Sequence, residues 1–489
     1  MKKQSFVYGA AVLAAASIIC KIMSAALKIP LDRFFLHEDG IGVYQSAYSI
    51  YNVFLAICVT GIPIALSGLI AQSDSEEEAS SFAKSTFVLV SVFSAISAAG
   101  LFLFASPLAK LLSGGGNPVA ANSLRVLSPA LLVMGVISSR RGYFQGKSLM
   151  TPSALSQLFE SFVKVALGIG ICAFTYRFGI EYGAAGAIAG VTLGAFASAA
   201  VLEISFRKAK VQKGKANMKM AVSVLKISIP VTLGAFGFTA VMLADTLTVP
   251  RLLAEGGFSE TERLKMFGYL TRANTVYNLP ATIITAFTAS AVPAIASVKA
   301  NPQKLSEETK RAIKLIFLAA FPCAIGMALF SGEILTLLYK SSSHYALLAL
   351  AGGMIVIMPF VQTTTAMLQT LGKVWKPIIV TVCSIILKVI LNFVFVAKIG
   401  VEGAPLATIL AFLPAMIINS FMLGKKTSIK GAIPVTIKLL ISAGISCLAA
   451  RLIYSLHQSA ITLLLSMAVA AAVYGALVII WRLVTREEL

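Results

Sequence analysis

The chain has 489 residues, of which 58% are apolar and only 12% charged, with a net charge of +21 and a mean hydropathy of +0.87. Soluble domains carry roughly twice that share of charge, about 25%. A string of soluble domains is therefore excluded, as are disorder, collagen and coiled coil, which leaves a polytopic membrane protein.

A spanning helix needs about 20 apolar residues. In chain order such runs fall near 5–30, 41–70, 82–106, 121–143, 152–176, 183–206, 220–249, 267–297, 312–331, 345–370, 377–398, 402–423, 432–454 and 459–481, fourteen in all. None alternates with period two, so the expected fold is all-α rather than a barrel. With the N-terminus inside, the inside segments carry 23 Lys and Arg and the outside segments eight. The positive-inside rule then puts both termini in the cytoplasm. The surplus positive charge reads as topology before it reads as nucleic-acid binding. The acidic stretch Asp74–Glu78 falls on the inside, but acids weigh little in that rule. Lys21 interrupts the first run, and the run outlasts a signal-peptide core, so the first span is expected to be retained.

An offset of 226 aligns Gly42, Ala47, Tyr51 and Asn52 with Gly268, Ala273, Tyr277 and Asn278. Near the same offset, Gly146-Lys147, Pro152 and Lys164 align with Gly372-Lys373, Pro377 and Lys388. Matching pairs lie six spans apart, so the halves share one orientation about an axis along the membrane normal. The expected lobes are 1–215 and 216–424, with 425–489 an appended helix pair.

A charge at a helix centre costs roughly 2.5–3.5 kcal/mol and usually faces a partner or a wet cavity. Ser17, Lys21, Ser24 and Lys28 share one face of the first span. For Lys28 the alternative is snorkelling to the outer headgroups. Span 5 carries Glu160 and Lys164 in the favourable i,i+4 order, which serves either an internal ion pair or a ligand. Lys388 in span 11 has no acid one turn before it, which favours a cavity role, and Asn392 follows it. Arg272 stands in span 8 and Asp245 in span 7. Asp245, with Asn392, is the candidate for a coupling ion, although one carboxylate is a poor cation site. The deep charges are mainly basic, which suits an anionic group such as a phosphate or pyrophosphate.

The six cysteines lie in apolar runs without a CxxC. No HExxH, Walker A or GxSxG pattern occurs, so no enzyme, metal or cofactor is expected. Gly114-Gly115-Gly116 follows no strand and is not expected to cradle phosphate. Glycines and prolines at Gly61, Pro63, Pro230, Gly234, Gly237 and Pro280 are places where spans can bend.

The segments Lys21–Phe35, Gly40–Gln45, Gly61–Ser67 and Arg272–Pro280, set in this span pattern, resemble the multidrug/oligosaccharidyl-lipid/polysaccharide exporter superfamily. Within it the chain is similar to the branch of stage V sporulation protein B and the MurJ-type lipid II flippases. The resemblance implies translocation of an undecaprenyl-pyrophosphate-linked saccharide, such as lipid II, across a bacterial cytoplasmic membrane. It places the family's basic pair on Lys21 and Lys28, where relatives commonly have arginine, and its span-8 cation on Arg272. Lys164 and Lys388 would line the same cavity. The implied partners are the lipid-linked saccharide and membrane lipids, with no nucleic acid and a monomer sufficient. Two other readings stay open. One is a cation-coupled drug antiporter, which would need Asp245. The other is a non-transporting scaffold of a wall-synthesis or sporulation complex, which would use the basic inside loops.

Overall fold

Backbone in hydrocarbon must bond within its own segment, so runs this apolar fold as helices. The computed structural model describes residues 6–209, 211, 214–424 and 433–483, and all regular structure among them is helical. Lys2, Lys3, Lys210, Lys213, Lys425, Lys426, Lys430 and Arg486, counted above as inside-facing cations, lie outside the described residues. Packing divides the chain into two compact units, Met1–Thr271 and Arg272–Leu489.

The first unit holds α1 (Phe6–Pro30), α2 (His37–Phe54), α3 (Ile62–Ala71), α4 (Glu76–Leu103), α5 (Ala105–Leu112), α6 (Ala121–Leu132) and α7 (Met134–Gly146). It continues with α8 (Met150–Thr175), α9 (Ile180–Lys208), α10 (Met218–Ala235), α11 (Gly237–Glu255) and the start of α12 (Glu260–Val298). Wider π-helical turns, Leu31–Leu36 and Leu55–Gly61, bracket α2. Proline adjoins each: Pro30 ends α1 and Pro63 opens α3. A proline lacks the N–H that regular winding needs and so favours a local change of winding.

The acidic stretch is the start of α4. Ser75 Oγ accepts the Glu78 N–H at 3.1 Å, and Glu78 Oε2 accepts the Asp74 N–H at 3.1 Å. Glu76–Glu78 occupy the first turn, where the helix dipole favours anions. Glu76 also pairs with Lys147 at 2.7 Å and accepts from the Tyr143 hydroxyl. Local capping therefore accounts for acids that run against the topological trend.

α8 and α9 pack through small residues. A Cβ on Gly190 would stand 2.7 Å from the Lys164 carbonyl oxygen, and one on Gly194 would stand 2.6 Å from that of Glu160. Gly186, Gly190 and Gly194 recur every four residues, the spacing that lets membrane helices touch along their backbones. This contact fixes the part of α8 that bears Glu160 and Lys164. The glycine loop is a docking turn: Gly114 and Gly115 have φ of 68° and 89°. The Arg263 guanidinium donates to the Ser113 and Gly114 carbonyls at 3.1 and 3.3 Å.

α10 and α11, which the repeat assigns to the second lobe, pack here on α2, α3 and α4. A repeat boundary records sequence relationship, whereas packing records contact, and the two fall at different residues. The α6–α7 and α10–α11 pairs each bend by more than 40°, the latter at Phe236, between the predicted breakers Gly234 and Gly237.

The second unit continues α12 and adds α13 (Pro302–Leu329), α14 (Ser331–Tyr339), α15 (Tyr345–Thr370), α16 (Trp375–Ile399), α17 (Gly403–Gly424), α18 (Ile433–Leu456) and α19 (Ala460–Ile480). α15 is its buried centre, packed on α13 and α17. The pair α18–α19 joins the unit through α13, where the Tyr474 hydroxyl donates to the Leu318 carbonyl at 2.9 Å.

Among the described residues, nine helical segments are long and apolar enough to cross a membrane, or eleven if each bent pair counts as one span. That criterion does not reach fourteen. Two of its segments run for 57 and 50 residues and each contains more than one helix. α12, which carries Arg272, is not among them. Bulky apolar side chains stand exposed along the helices, with Leu456 84% and Ile479 75% exposed. Such a surface suits lipid rather than water. The chain is a multi-pass helical membrane protein.

Candidate functional site

The predicted face of α1 meets two other helices. Ser17 Oγ donates to Gln157 of α8 at 3.1 Å, Ser24 Oγ accepts from the Lys164 ammonium of α8 at 2.8 Å, and Lys28 Nζ donates to Gln45 Oε1 of α2 at 2.8 Å. Lys28 is thus turned to α2 by a side-chain acceptor. Lys21, on the same face, is exposed.

Both bonded lysines surround one ring. Lys28 Nζ lies 5.6 Å and Lys164 Nζ 5.8 Å from the Tyr48 ring centroid. An ammonium at such a distance is attracted by the ring quadrupole, by about 0.5–2 kcal/mol. Tyr48 is itself stacked on Tyr44, with centroids 5.6 Å apart and planes 14° apart. The two cations are held by an amide oxygen, a hydroxyl and a π face, all of them neutral.

Glu160 does not neutralise Lys164. Its carboxylate pairs with Arg141 at 2.8 Å. The buried Arg141 guanidinium also donates to Ser156 Oγ at 3.1 Å and to Ser198 Oγ at 2.8 Å. Of the two outcomes open for the Glu160–Lys164 turn, the internal pair is therefore not formed, because a planar guanidinium with several donors takes the carboxylate first. Among the described residues Lys21, Lys28 and Lys164 make no ion pair.

In the second unit, the buried Arg272 guanidinium lies 5.1 Å from the Tyr339 ring centroid. Lys388 is fully buried and donates to the Ala404 carbonyl of α17. The repeat-matched lysines thus differ, since Lys164 ends on a hydroxyl and Lys388 on backbone. Asn392 is buried one turn beyond it. Asp245 is buried on α11 in the first unit. No group of three metal-ligating side chains occurs among the described residues. A separate cavity of about 740 Å³ in the second unit contains none of the predicted residues, and the Arg451–Glu333 pair lines it.

Sequence reasoning missed Tyr48, Gln45 and Arg141. Gln45 and Tyr48 stand within the repeated segment that begins at Gly42, one turn apart on α2, and that spacing is the signal that would have found them. Arg141 is one of the 23 inside-facing cations of the charge count, which points to no partner. Its neighbour Arg140 turns elsewhere, to Glu203 at 3.0 Å and over the Phe206 ring at 3.7 Å.

A family model described as "Lipid II flippase MurJ" matches residues 41–482. The chain belongs to this family. Stage V sporulation protein B of Bacillus subtilis (strain 168) is 25% identical over 516 residues, covering 100% of this chain and 98% of that protein. Lipid II flippase MurJ of the same organism is 24% identical over 513 residues, covering 95% and 93%. A solved structure of lipid II flippase MurJ in an inward closed conformation superposes with a TM-score of 0.76 at 15% identity, over 96% of this chain and 98% of that one. An inward-facing multidrug resistance MATE family transporter of the MOP superfamily gives 0.65 at 17% identity, over 85% and 96%. These likenesses establish the fold expected from the sequence, one shared with the MurJ and MATE structures.

Proposed function

We propose that this chain is a flippase that moves a lipid-linked pyrophosphate saccharide of the lipid II class from the inner to the outer leaflet of a bacterial cytoplasmic membrane. The observation that carries the reading is the pair of ammonium groups, Lys28 and Lys164, held around Tyr48 by neutral partners while Arg141 occupies Glu160. Two uncompensated cations about one ring suit a diphosphate, whose oxygens accept several charge-assisted hydrogen bonds. Family membership and the names of the relatives support the same substrate class.

In this reading Lys28 and Lys164 hold the head, and Lys21 and Arg272 supply further positive charge. The halves 1–215 and 216–424 alternate between inward-open and outward-open, and 425–489 is an appended helix pair. Both termini are cytoplasmic and a monomer suffices. No covalent bond of the substrate changes, so the activity is transport and not catalysis. Asp245 and Asn392 remain the candidates for a coupling ion. A membrane potential, negative inside, would draw the empty cationic site inward at about 2.3 kcal/mol per charge per 100 mV. A leaflet-resolved lipid II accessibility assay in cells relying on this chain alone tests the reading. Outer-leaflet lipid II should disappear in the Lys28→Ala/Lys164→Ala double variant, and undiminished flipping by that variant overturns the reading.

A further inference from the structure

A line of buried polar side chains joins Lys28 to α11. The Lys28 ammonium donates to Gln45 Oε1 at 2.8 Å, the Gln45 amide nitrogen donates to Ser49 Oγ at 3.1 Å, and the Thr246 hydroxyl of α11 donates to Ser49 Oγ at 2.9 Å. Gln45, Ser49 and Thr246 are 6%, 1% and 1% exposed.

The line has one direction. Ser49 Oγ gives its own proton to the Gln45 main-chain carbonyl at 2.9 Å, so its lone pairs are left to accept from Gln45 and Thr246. Reversing the Gln45 amide would set an NH2 against an NH3⁺ and an oxygen against the Ser49 lone pairs, so the carbonyl must face Lys28. The Thr246 proton is shared with the Met242 carbonyl at 2.8 Å. That makes the step onto α11 the weakest link. α11 is also separated from α10 by the break at Phe236.

We infer that Gln45, Ser49 and Thr246 are positioning residues for Lys28, and that the placement of α11 sets where the Lys28 ammonium points. The inference rests on Lys28 as a ligand of the anionic head and deepens that reading, by naming the helix whose movement holds or frees the ligand. A shift of α11 that parts Thr246 from Ser49 removes a donor from the hydroxyl that anchors the Gln45 amide and so loosens that anchor. Lys28 is then held less firmly by its acceptor.

The test is the rate of acylation of Lys28 and Lys164 by a small water-soluble amine reagent at fixed pH. It uses the purified full-length protein and reads the two peptides by mass spectrometry. Gln45→Leu, Ser49→Ala and Thr246→Val should each raise the Lys28 rate, by about tenfold for Gln45→Leu, which removes a charge-assisted hydrogen bond. Lys164 should keep its rate, and Thr246→Ser should behave as the unsubstituted protein. An unchanged Lys28 rate in all three variants overturns the relay, as does an equal rise at Lys164, which would mean general loosening. The labelling makes no use of flipping. Failure of the double lysine variant to block transport would therefore sink the functional reading while leaving the labelling result to stand or fall by itself.

Discussion

Gly42 of α2 and Gly268 of α12, matched by the internal repeat, lie against each other. A Cβ on Gly42 would stand 3.3 Å from the Gly268 nitrogen and 2.7 Å from the Leu264 carbonyl oxygen, and a Cβ on Gly268 would collide with the Glu38 carbonyl. Only hydrogen fits on either side. Gly42→Ala should cost about 1–3 kcal/mol through overpacking, read as a lower melting temperature in detergent. Gly68→Ala is the control, because the space around Gly68 is open and a helical Gly→Ala change there should stabilise by roughly 0.5–1 kcal/mol.

Arg141 keeps Glu160 away from Lys164. In Arg141→Met the carboxylate is released to pair with the lysine one turn on, so transport should fall although neither Lys28 nor Lys164 is altered. Breaking a pair this buried should also cost about 2–4 kcal/mol. The double variant Arg141→Met/Glu160→Gln removes both charges and should regain most of the transport. The leaflet assay and a thermal melt on the same samples separate the two effects.

The proposed grip around Tyr48 calls for charge rather than for lysine itself. Lys28→Arg should keep substantial flipping, since guanidinium also donates to amide oxygen and binds phosphate in a forked geometry. Lys28→Met should lower substrate affinity by about tenfold or more, the worth of one charge-assisted hydrogen bond. Binding of a fluorescent undecaprenyl pyrophosphate analogue to the purified protein measures both.

Lys388 should behave as a structural residue. Lys388→Met strips a donor from the buried Ala404 carbonyl and should destabilise by about 1–3 kcal/mol. Its melting temperature should drop while transport per folded molecule changes little. A large loss of transport without a loss of stability would show that Lys388 contacts substrate.

The helical architecture was legible because lipid leaves no other outcome for runs this apolar, and Lys28 and Lys164 stood out because a charge in such a run needs a reason. What eluded the sequence was pairing across the fold. Glu160 sits one turn from Lys164, and local spacing offers that partner, yet Arg141 comes from another helix and presents the better geometry. Lys388 showed the same limit in reverse, as nothing near it in the chain marks Ala404 as its acceptor. The acidic start of α4 stood out against the charge trend because helix capping is a local demand that charge statistics do not register.

The two wide turns that flank α2 have a mechanical consequence. Residues 31–36 and 55–61 each wind more loosely than the helix between them, which bears Gln45, Tyr48 and Ser49. Letting a slack coil tighten by one residue at one end while the other slackens turns the intervening rod by about 100° without moving its anchors. The aromatic plate under the two ammoniums is thereby carried on a rod whose two ends are its most loosely wound points.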